Sequence, residues 1–103
     1  MTSTDRPLAI STVQVDNPVV RVTEWRFAPG TSTGFHRHAY DYVVVPMTTG
    51  PLRMLTPTGE AAGNLVAGQA YFRAAGAEHE VVNDNPFEVI FVETEIKARS
   101  DGA

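Results

Sequence analysis

Cysteine is absent from the 103-residue chain. Disulfides, zinc fingers, iron–sulfur clusters and thiol nucleophiles are thereby excluded. Basic residues are few: 8 Lys and Arg stand against 12 Asp and Glu, a net charge of −4. Nucleic acid and anionic membrane surfaces both call for a basic patch, so neither is an expected partner. Long apolar runs are missing too. The longest, Val43 to Met47, falls far short of the ~20 residues that span a bilayer. Met1 to Pro7 is polar and holds no apolar signal-peptide core. A soluble cytoplasmic protein is the expectation. Histidine is scarce as well, limited to His36, His38 and His79. Any metal or imidazole chemistry must come from those three.

What the chain does contain is frequent punctuation. Asn17-Pro18, Pro29-Gly30, Gly34, Gly50-Pro51, Pro57-Thr58-Gly59, Gly63-Asn64, Gly68, Gly76 and Asn83 to Pro86 break it into short segments. That spacing, with Val, Thr, Phe and Tyr between the marks, predicts an all-β sandwich or barrel. Strands are expected near Ile10–Val15, Val19–Phe27, Gly34–His38, Tyr42–Met47, Leu52–Thr56, Gln69–Arg73, Glu80–Val82 and Phe87–Ile96. No window holds a helical apolar stripe. Residues 1–7 and 98–103 are small and polar, and are expected to fray around one domain over 8–97. Two strands are apolar on both faces: Val43, Val45 and Met47 against Val44 and Pro46, and Val89 and Phe91 against Ile90 and Val92. Such strands need cover on both sides, which predicts a homodimer.

His36 and His38 are two apart, so in a strand they share a face, with Cα atoms ~7 Å apart. His79 comes from a distant segment. Gly30, five residues, then His36-Arg37-His38, with Gly50 further on, resembles the first motif of the cupin superfamily. Gly68, Ala74, Gly76, His79 and Asn83 resemble the second, with Ala74 in place of its Pro. Together the motifs span Gly30 to Asn83. The wording "GFHRHAYDYVVVP" and "YFRAAGAEHEVVN" is similar to that of a subgroup of small stand-alone bacterial cupins, some labelled β-alanine degradation protein. The resemblance implies a double-stranded β-helix, a small jelly-roll barrel, with one divalent metal ion held by His36, His38 and His79.

The sequence departs from the family where a Glu is expected. Beyond three intervening residues after His38 stands Tyr42, and beyond four stands Val43. Asp41 alternates to the opposite face and reads as a turn-capping or solvated group. Three neutral imidazoles leave the ion's charge uncompensated, so the site is expected to be the most positive place in the interior and to favour a small anionic substrate. Fe(II) suits an open site of this kind, with Zn, Mn or Ni as alternatives. Tyr42 could orient substrate or simply fill the space of the missing Glu. Arg73 or Arg53 could clamp a carboxylate bidentately. Trp25, Phe27 and Phe91 are candidate apolar pocket walls, while Phe35 alternates outward. Glu78 and Glu80 flank His79 and are expected to point away from the metal, and Asn83 to pin a turn. Three functions remain open: a dioxygenase-like enzyme, a redox-neutral isomerase or hydrolase using Zn or Mn as a Lewis acid, and a non-catalytic metal-dependent metabolite-binding or sensor protein.

Overall fold

Short runs of β-branched and aromatic residues between Gly and Pro marks become strands. In the computed structural model, which describes residues 6–97, there are nine. They are β1 (Ile10–Asp16), β2 (Val20–Phe27), β3 (His36–Arg37), β4 (Asp41–Pro46), β5 (Gly50–Thr56), β6 (Gly59–Leu65), β7 (Tyr71–Arg73), β8 (Glu78–Val82) and β9 (Val89–Ile96). Every ladder is antiparallel. One sheet runs β1-β2-β9-β4-β7 and the other β3-β8-β5-β6. This is the all-β double-stranded β-helix that the sequence resemblance implies. No helix among the described residues is long and apolar enough to cross a membrane.

β6 is a strand the sequence patterning did not flag. Its residues, Gly59-Glu60-Ala61-Ala62-Gly63-Asn64-Leu65, include no β-branched or aromatic side chain. Its ladder to β5, from Thr56↔Gly59 to Gly50↔Leu65, makes it a strand. Hairpin pairing has overridden propensity.

The N-terminal end corrects another expectation. Arg6 and Pro7, read from the sequence as frayed, are tied down. The Pro7 carbonyl accepts from the Ser32 N–H (3.0 Å), the Ala9 N–H donates to the Ser32 carbonyl (2.8 Å), and Arg6 lies 3.6 Å from Glu80. Residues 1–5 and 98–103 lie outside the described residues.

The inner faces of β2, β4 and β9 grade from apolar to polar along the barrel. Phe27 opposes Val89 and Trp25 opposes Phe91, then Thr23 opposes Glu93 and Arg21 opposes Glu95. On the other flank of β9, Pro46 opposes Phe91, Val44 opposes Glu93 and Tyr42 opposes Glu95. Phe27, Val89, Leu52, Leu65, Val44, Val81 and Phe91 make the core. Phe27 and Phe91 stack tilted at 5.4 Å. Asn83 is fully buried beside this core. Its amide donates to the Phe27 and Phe87 carbonyls (2.9 Å each), and its oxygen accepts from the Asn85 N–H (3.0 Å). It pins the turn before β9, as its sequence position suggested. One end of the barrel is therefore packed and closed, and the other is left for a polar cavity.

Candidate metal centre

Strands β3 and β8 place His36 directly opposite His79. The strand proper ends at Arg37, so His38 is not held by a straight β-segment. It is fixed instead by backbone bonds, its N–H to the Ala77 carbonyl (2.9 Å) and its carbonyl from the Gly76 N–H (2.8 Å). The three rings converge. His36 Nε2 lies 3.0 Å from His38 Nε2, which lies 3.1 Å from His79 Nε2. The ligand atoms of all three fall within 4.8 Å of one another.

The surroundings set which nitrogen faces inward. His36 Nδ1 is 3.0 Å from the Gly34 carbonyl, an acceptor only, so Nδ1 carries the proton and Nε2 keeps its lone pair. His38 Nδ1 faces Glu93 Oε2 at 3.7 Å, which favours the same tautomer. Burial, and then the neighbouring His36, holds His38 at about 4. Burial, with His36 and His38 adding to it, holds His79 at about 4. Both are neutral at neutral pH. Metal–imidazole bonds are about 2.0–2.1 Å, so donors at right angles lie about 3 Å apart. The donor set and its spacing fit a divalent ion.

Tyr42 occupies the inward position of β4 where the family pattern has Glu. It is buried and stacks on His38 with ring centroids 3.9 Å apart and planes 19° apart. Burial, reinforced by Glu93, pushes its phenol up to about 12, so it stays protonated. The carboxylates come from β9 instead. Glu93 backs His38 and accepts from the Trp25 indole N–H (3.3 Å). Burial first, and then Glu95, raises Glu93 to about 7. Glu95 takes both Nε (2.7 Å) and Nη2 (3.1 Å) of Arg21. The candidate ligand group is the three histidines alone, as the sequence implied, but the expectation that their site is the most positive place in the interior is corrected, since Glu93 and Glu95 line the same cavity. The sequence offered the signal: the two-residue period that turns Val89 and Phe91 inward continues to Glu93 and Glu95.

A cavity of about 590 Å³ surrounds the histidines, and Trp25, Tyr42, Tyr71, Arg73 and Phe91 line it. Arg73 opposes Tyr42 in the ladder, with its guanidinium 4.7 Å above the Tyr71 ring. Arg53 is elsewhere. It pairs with Asp84 (2.7 Å) and Glu60 (3.4 Å) around a separate surface depression, because its side chain leaves β5 on the face away from the histidines. Phe27 belongs to the core rather than to the cavity wall, and Phe35 is exposed. Asp41 Oδ1 accepts from the Ala75 N–H (2.8 Å), a turn-bridging role. Glu80 points away from the histidines as expected but is 2% exposed. It accepts from the Ser32 hydroxyl (2.6 Å) under the N-terminal segment.

No protein-family model matches the chain. Two facing antiparallel sheets enclosing a three-histidine cluster define a cupin, and the chain belongs to that superfamily. It is 65% identical over 92 residues to the Beta-alanine degradation protein BauB of Pseudomonas aeruginosa, a match covering 89% of this chain and 97% of that one. A cupin domain of Bordetella pertussis superposes with a TM-score of 0.89 at 58% identity, covering 91% of this chain and 98% of the other. A double-stranded β-helix protein of Klebsiella pneumoniae shares the fold at a TM-score of 0.73 and 19% identity, with 97% and 90% covered.

Proposed function

We propose that the protein is a metal-dependent enzyme, of dioxygenase type, acting on a small anionic organic molecule. The observation that carries this reading is the convergence of three histidine ring nitrogens within one cavity. A divalent ion held by His36, His38 and His79, Fe(II) in this reading, would supply open positions for oxygen activation and substrate chelation. Glu93 and the Gly34 carbonyl orient the imidazoles that hold it. Tyr42, protonated and stacked on His38, presents a neutral phenol to whatever enters. Trp25, Val44 and Phe91 give the cavity an apolar wall. The name of the Pseudomonas relative, β-alanine degradation, agrees with a small organic acid as substrate.

The test is metal analysis of tag-free protein, then oxygen uptake with a panel of diketones, thiols and short keto acids. One Fe per chain and substrate-dependent oxygen consumption are expected. His79→Ala should lose the metal while keeping the fold by circular dichroism. A variant with full metal occupancy refutes the ligand set. Stoichiometric Zn or Mn without oxygen uptake would replace this reading with redox-neutral chemistry. Metal and ligand binding without turnover would replace it with a binding protein.

A further inference from the structure

Charged side chains on this molecule are mostly paired. Arg6, Arg21, Arg26 and Arg53 each lie against a carboxylate, and Lys97 lies against Asp16. Among the described residues two arginines, Arg37 and Arg73, have no carboxylate partner, and both line the histidine cavity. Arg73 spends one donor on the Phe72 carbonyl (3.2 Å) and lays its guanidinium over Tyr71. Most of its five N–H donors stay free. Its cross-strand neighbour is Tyr42, which stacks directly on His38. Arg73 and Tyr42 thus line the cavity side by side from neighbouring strands. Arg37 reaches the same end of the cavity. Its Nη2 lies over Gly76, 3.9 Å from where a Cβ would stand, in the turn that follows Arg73. Arg37 faces Glu78 across the β3–β8 ladder without forming an ion pair, so Arg73 is the guanidinium best placed to fix an anion, and its planar fork matches a carboxylate.

We infer that Arg73, assisted by Arg37, forms a carboxylate-binding subsite at the cavity mouth, so that the substrate is a short organic acid gripped there while its other end faces the three histidines. The inference deepens the proposed function and rests on it for the reaction, but the subsite itself can be tested without metal. A substrate bearing an oxygen, nitrogen or sulfur donor a few bonds from its carboxylate would reach both ends.

The experiment is isothermal titration with succinate, propionate, propionamide and inorganic phosphate. Each is titrated against chelator-treated and against metal-loaded protein, in wild type, Arg73→Gln, Arg73→Lys and Arg37→Gln. Succinate and propionate should bind the chelator-treated wild type, and propionamide should not. Arg73→Gln should weaken carboxylate binding about tenfold or more, the usual consequence of losing a charge-assisted pair. Arg37→Gln should weaken it less, and Arg73→Lys should recover part of the loss. Metal content should be unchanged in all three variants. Equal affinity in wild type and Arg73→Gln, equal binding of amide and acid, or tighter binding of phosphate than of any carboxylate would each overturn the subsite. A wild type that binds no metal yet binds succinate through Arg73 would overturn the proposed function and leave the subsite standing.

Discussion

Acidification should destabilise the chelator-treated protein by an amount that three groups lining the cavity set between them. His38 and His79 sit at about 4, against an ordinary value of 6.5. Each is neutral in the fold while the unfolded chain takes up a proton. Their cost is absent well above pH 6.5 and grows as pH falls toward 4. Glu93 has the opposite sign. Raised from 4.5 to about 7, it binds its proton in the fold first. Its stabilising contribution is complete below pH 4.5 and is lost as pH rises through about 7. Between pH 7 and pH 4.5 the two histidines together cost about 5 kcal/mol and Glu93 returns about 3, leaving a net loss of about 2 kcal/mol. Urea denaturation in EDTA, followed by circular dichroism at pH 7, 5.5 and 4.5, reads this directly. Glu93→Gln removes the compensation, so its loss over the same window should grow to about 5 kcal/mol. A wild type of constant stability across the window, or a Glu93→Gln variant with the wild-type pH dependence, would refute the reasoning. Restoring metal should steepen the acid dependence, because protons and metal compete for the same nitrogens.

Asn83→Ala should cost about 2–4 kcal/mol, since it strips the bonding partner from two carbonyls and one N–H around a fully buried position. Urea titration checks this, and a loss under about 1 kcal/mol would show that water replaces the side chain. The homodimer expected from the sequence is tested by sedimentation velocity at micromolar concentration. The outward residues of β4 and β9, Val43, Val45, Ile90 and Val92, are only half-buried in the single chain, so a dimer is expected and a stable monomer refutes it.

The chemistry-bearing histidines were legible because their spacing is local: His36 and His38 share a segment, and the Gly76 turn that leads into β8 stands just before His79. The strands were legible wherever β-branched residues alternate. Four features were not. β6 is held by pairing with β5 rather than by its own side chains, so Ala61, Ala62 and Gly63 gave no sign of it. His36 and His38 do not share a regular strand, and the backbone bonds that hold His38, its N–H to the Ala77 carbonyl and its carbonyl from the Gly76 N–H, depend on residues almost forty positions away. Glu93 falls on the inward period of its strand, but its place beside Trp25 and His38 depends on the long-range ladder that the local pattern does not show. Arg73 and Arg53 looked equivalent in the sequence. The register of β7 against β4, and of β5 against β8, separates a cavity guanidinium from one held by Asp84.

Trp25 is the chain's single tryptophan, and it lines the cavity with its indole N–H on Glu93. All tryptophan emission from this protein therefore originates in the cavity wall, one carboxylate away from His38. The fold comes with its own optical reporter, one that can follow each loading step in unlabelled protein and needs no knowledge of the reaction.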